Sequence, residues 1–103
     1  EETLEYRFVI VEEPIQENGT AVIDQFKAYL NEQEGIRVIE NHLEGVRADF
    51  AEGWFIVRMS LHEPLLVWTL ESDKAGILSP LVERFMPFFM EQNSLDRKNI
   101  IKK

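Results

Sequence analysis

Apolar and polar positions divide the chain into five strand-like and two helix-like stretches. Leu4-Glu5-Tyr6-Arg7-Phe8-Val9-Ile10-Val11 begins with alternation and ends in a β-rich run, which predicts a strand. Glu12-Glu13-Pro14 through Asn18-Gly19 is turn material. A helix is predicted from a Thr20 cap to about Glu34. Val22, Ile23, Phe26, Tyr29 and Leu30 recur on one of its faces, and Gly35 marks its stop. Short strands are predicted near Arg37 to Glu40 and Gly45 to Phe50, the second with Val46, Ala48 and Phe50 on one side. Ala51-Glu52-Gly53 is a tight connection into a Trp54 to Met59 strand, and Leu65 to Glu71 is the next. These last two are apolar on both faces, so they are expected to be central and covered.

The final helix runs from Ser72 or Ser79 to about Asn93, with Ile77, Leu78, Leu81, Val82, Phe85, Met86 and Phe89 as its apolar face. Proline fits only a first helical turn, so Pro80 argues for a start at a Ser79 cap, and Pro87 should kink the helix or end it early. Phe85, Met86, Phe88, Phe89 and Met90 exceed what one face needs, leaving Phe88 or Met90 as candidates for exposure. The order β-α-β-β-β-β-α predicts an α+β fold: a four- to five-stranded antiparallel sheet with two helices on one face. Residues 1–93 read as a single domain. Residues 94–103, with Arg97, Lys98, Lys102 and Lys103, read as a basic tail expected to fray.

Composition narrows the partners. At 103 residues the chain is one domain, with 45% hydrophobic and 29% charged residues, as in an ordinary globular protein. No run approaches the roughly 18 apolar residues of a membrane span. The start, Glu1-Glu2-Thr3, resembles no signal peptide and has no initiator methionine, which suggests a piece of a longer protein. Zero cysteines exclude disulfides and thiolate metal sites and fit a cytoplasmic location. The net charge of −8 argues against nucleic acid and anionic membrane as partners. It also means that an anionic ligand needs a local positive site.

The chemistry-bearing stretch is Arg58-Met59-Ser60-Leu61-His62-Glu63-Pro64, a polar loop between two apolar strands. A guanidinium, a serine hydroxyl and loop N–H groups can each donate to the oxygens of a phosphate. Taken with Glu44-Gly45-Val46-Arg47-Ala48-Asp49-Phe50 and Gly53-Trp54, the stretch resembles the C-terminal (fourth) domain of the phosphohexomutases, the phosphomannomutase/phosphoglucomutase family. Those proteins read D-G-V-R-V-D-F, then G-W, then R-(P/A)-S-(G/N)-T-(E/Q)-P. The likeness covers roughly residues 36 to 90, with order and spacing kept. Leu61 stands where Gly or Asn is usual, and His62 where Thr is usual.

The resemblance implies a TATA-binding-protein-like fold, with no implication of DNA binding. It implies a cytoplasmic isomerase of carbohydrate metabolism that moves phosphate between C1 and C6 of a hexose through a phosphoserine and a bisphosphate. It further implies that Arg58, Ser60, Leu61 and His62 meet the substrate phosphate while Glu63 and Pro64 shape the loop. The partners would be a hexose phosphate and the other domains of the parent chain. This domain would hold no catalytic residue and no cofactor, the phosphoserine and magnesium ligands lying elsewhere in the parent. Leu61, His62 and the negative charge leave open a second reading, a non-catalytic binding or interaction domain of a degenerate mutase paralogue.

Each residue also has a plainer reading. Arg58 could be a strand-end arginine in water, paired with Glu63 or Asp49. Ser60 could bond its own turn, and His62 could be an exposed loop histidine without a role. In its functional reading His62 replaces the missing hydroxyl donor and is charged when protonated. Leu61 would be strained by about 1–2 kcal/mol if its position required a left-handed backbone. Trp54 and Trp68 suggest sugar platforms, but their strand context favours core or sheet face. Glu52 and Glu63 have no spacing that suggests an acid/base pair, His42 reads as an ordinary loop or strand-end residue, and no cluster has metal-ligand spacing.

Overall fold

Alternation along the apolar runs produces one antiparallel sheet whose inward side chains are covered by two helices. The structure, a computed structural model, describes residues 1–40 and 45–103. The elements are β1 (Glu2–Val9), α1 (Ile15–Leu30), β2 (Arg37–Ile39), β3 (Val46–Phe50), β4 (Gly53–Met59), β5 (Leu65–Ser72), α2 (Leu78–Met90) and β6 (Ile101–Lys102). The sheet order is β2-β3-β4-β5-β1-β6. The hairpins β2–β3, β3–β4 and β4–β5 build its middle, and α1 carries the chain from β1 across to the β2 edge.

The core lies between the sheet and both helices. Phe8, Phe55, Trp68 and Leu70 of the sheet meet Phe26 and Leu30 of α1 and Phe85 and Phe89 of α2. Phe26 joins the three layers, with ring centroids 6.1 Å from Phe55 and 4.9 Å from Phe89. Arg84 of α2 ties the helices at their surface by donating to the Glu34 carbonyl at 2.9 Å. Met90 is 40% exposed, as its excess apolarity suggested. Phe88 is half-buried against Phe26 and Tyr29, at 4.9 and 5.4 Å.

Four expectations change. First, α1 starts at Ile15, directly after Pro14, and Thr20 lies inside it without a capping role. Asn18 looks like a turn residue, yet its backbone N–H and its Nδ2 both donate to the Pro14 carbonyl, at 3.0 and 2.9 Å, within the first turn. Gly19 looks like a breaker but lets the helix approach the sheet: a Cβ there would sit 2.5 Å from the Met59 sulfur. Second, α2 starts at Leu78 with Ile77 as its cap residue, so Ser79 is inside, and the helix continues past Pro87 to Met90.

Third, the segment 94–103 is not frayed. Leu95 is 2% exposed and bridges Ile10, Asp96 N–H donates to the Val9 carbonyl at 2.8 Å, and β6 pairs with Tyr6 and Arg7 of β1. This adds a sixth strand to the four or five expected. Fourth, β4 and β5 are central, but neither helix lies over their second face. Val67 is still only 2% exposed there, because its cross-strand neighbours are Arg7 and Arg58, whose aliphatic stems can shield it.

A candidate phosphate-binding hairpin

The stretch singled out in the sequence is the β4–β5 hairpin. Met59 pairs with Leu66, and the Ser60 N–H donates to the Leu65 carbonyl at 2.9 Å, which closes the ladder. Residues 61–64 form an exposed tip. Inside it, the Leu65 N–H donates to the Glu63 carbonyl at 2.7 Å. The Pro64 carbonyl accepts from the Ile10 N–H at 2.7 Å, which fastens the tip to the chain leaving β1. Both contacts run through the backbone carbonyls of Glu63 and Pro64. The N–H groups of Leu61, His62 and Glu63 donate to no described acceptor.

Arg58 is half-buried near the end of β4 on the open sheet face. Among the described residues its guanidinium reaches only the Met59 carbonyl, at a long 3.5 Å. Neither carboxylate suggested for it is its partner among the described residues. Asp49 is instead held by Arg47 at 3.0 Å and Arg37 at 3.3 Å. Ser60 is half-buried, and its hydroxyl makes no hydrogen bond to a described group. An arginine with spare donors, a spare hydroxyl and spare backbone N–H groups thus lie within six residues of one hairpin, counted from Arg58 to Glu63.

Leu61 is 88% exposed and points away from any packing. Among the described glycines, Gly35, Gly45 and Gly76 are left-handed, at φ 76°, 72° and 84°. His62 is exposed and touches no described charged group within ion-pair distance. Glu52 and Glu63 sit at opposite ends of β4, too far apart to share a reaction. His42 and Glu44 lie outside the described residues.

The glycines of the resembling motifs have structural reasons to be glycine. A Cβ on Gly53 would run into the Glu71 carbonyl, and one on Gly45 into the Val57 carbonyl. Trp68 is sealed in the core at 0% exposure, whereas Trp54 is half-exposed on the open sheet face. Sequence reasoning could not separate these two, since both lie in apolar strands and only the register decides their faces. Among the described residues no three His, Asp or Glu side chains are grouped to hold a metal ion. No helix of the described residues is long and apolar enough to cross a membrane.

The chain matches no protein-family model, and no curated protein matches it significantly.

Proposed function

We propose that this chain is the C-terminal, phosphate-gripping domain of a phosphohexomutase-like protein, with the TATA-binding-protein-like fold of that family. The observation that carries the reading is Arg58: a half-buried guanidinium without a described carboxylate partner, beside a hairpin with three spare N–H groups. The motif order around it in the sequence supports the same reading.

In this role the hairpin clamps the phosphate that is not being transferred. Arg58 donates from a planar fork suited to a phosphate's oxygens, Ser60 adds a neutral donor, and the Leu61, His62 and Glu63 amides close the cradle. Gripping that phosphate orients the hexose and helps close the cleft over it, which excludes water. The domain supplies no nucleophile and no general base. The phosphoserine and the magnesium ligands belong to the rest of the parent protein, and mannose and glucose phosphates are the substrate class. In this reading the hairpin meets those other domains in the closed state.

Affinity of the chain on its own should be millimolar or weaker, because a few contacts on an open surface must offset the cost of association. Titration with mannose 1-phosphate, followed by amide shifts, tests the reading. Saturable shifts at residues 58–63 are expected, and their absence from both the chain and its parent would contradict it.

One observation favours a second reading. Leu61 puts an almost fully exposed apolar side chain at the tip, where the family has Gly or Asn. That suits a binding or interaction domain of a paralogue without mutase activity. Assay of the parent protein for hexose phosphate isomerisation separates the two.

A further inference from the structure

The opposite end of the sheet carries a second feature that the phosphate reading does not use. An open concavity of about 580 Å³ lies beside the β3–β4 turn. Its polar wall is Arg37, Arg47, Asp49 and Asp73, and its aromatic wall is Trp54 with Phe50. The small residues Gly35 and Ala51 leave the space open.

The wall is held in place before any ligand arrives. Asp49 lies between two guanidinium groups, 3.0 Å from Arg47 Nε and 3.3 Å from an Arg37 terminal nitrogen. Arg47 in turn sits 5.1 Å from the centroid of the Trp54 ring, which fixes the indole on the sheet. Glu71 is the cross-strand partner of Trp54, so a further carboxylate flanks the ring.

Charge decides what such a shelf can hold. Arg37 and Arg47 bring two positive charges to the lining, and Asp49 and Asp73 bring two negative ones. A phosphate or carboxylate gains little from that balance, and a cation meets Arg47 already over the ring. A neutral ligand that both donates and accepts hydrogen bonds, with an apolar face for the part of the indole left exposed beside Arg47, uses every group present. That description is a pyranose ring. The geometry points to Trp54, Arg47 and Asp49 as a saccharide-binding shelf.

The shelf is separate from the hairpin. Trp54 and Arg58 lie on the same face of β4, four residues apart, or roughly 13 Å along a strand. The two features therefore sit at opposite ends of the strand, and Arg58 does not line the concavity. The inference therefore does not depend on the phosphate reading.

Methyl α-mannopyranoside and maltotriose, titrated into the chain and followed by amide shifts and tryptophan emission, test it. Because Trp68 is sealed, an emission change reports Trp54. Saturable shifts at residues 47–54 and 73 are expected, weakened at least tenfold in Trp54→Ala and in Arg47→Gln but unchanged in Arg58→Ala. Arg47→Gln changes a partly buried side chain outside the core and keeps the test sound if Trp54→Ala does not fold. Absence of shifts at tens of millimolar saccharide, or shifts confined to residues 58–63, would overturn the shelf. A parallel titration with inorganic phosphate reads the hairpin alone.

Discussion

Arg58 differs from the other described sheet arginines in what it touches. Arg7 is bonded to Glu5 at 2.7 Å, and Arg37 and Arg47 share Asp49, whereas among the described residues Arg58 has a single long contact, to a carbonyl. Arg58→Ala should therefore cost stability only through the lost packing of its stem over Val67, and weaken phosphate binding by about 1.5–3 kcal/mol, roughly tenfold to a hundredfold. Ser60→Ala removes only a neutral donor and should cost near 1 kcal/mol of binding. Comparing both variants by phosphate titration and by denaturant unfolding checks this, and a large loss of stability in Arg58→Ala would assign the residue a structural role.

Asp96 is the residue where pH should act. The Asn99 side chain, followed by the Lys98 backbone N–H, donates to its carboxylate and lowers its pKa. A carboxylate whose pKa is lower folded than unfolded contributes stability above its unfolded pKa. That contribution is lost as pH falls through the folded value. Asp96→Asn should therefore flatten the acid side of the stability–pH curve. An unchanged curve would mean that the turn does not persist in solution.

At the scale of elements, five strands and two helices are legible because their patterns are strong. The register that puts Val46 and Ala48 inward is already visible as alternation, whereas β4 is apolar on both faces and its inward Phe55 and Val57 are not marked by any. What was not legible has local physical causes. Gly19 reads as a turn, and only the nearness of Met59 explains it within α1. Segment 94–103 reads as polar and basic, and its two anchors, Leu95 and the β6 pairing, are too short to show a period. The hairpin residues 58–64 were legible as a loop between strands. The loss of Asp49 to Arg37 and Arg47 was not, because it depends on β2–β3 pairing. Leu95→Ala should destabilise the domain by about 2–5 kcal/mol, the usual cost of emptying a buried leucine site. Hydrogen exchange offers a second check, since the amides of Asp96 and Lys103 donate to β1 carbonyls and should be protected. Gly53→Ala should cost about 1–3 kcal/mol as the new methyl displaces β5 at Glu71.

For the whole molecule, the two helices occupy one face of the sheet and leave the other open. That open face carries Arg58 near one end and Trp54 near the other, while the net charge is −8. An acidic domain that grips an anion must do so through a local donor set, and the hairpin is where such donors are unspent. The central claim is thus that residues 58–63 hold a sugar phosphate. The most direct measurement is an NMR titration of the chain with mannose 1-phosphate and with inorganic phosphate, beside Arg58→Ala. The account expects saturable shifts confined to residues 58–63 that vanish in the variant. Shifts that persist in Arg58→Ala, or that fall elsewhere on the sheet, would contradict it.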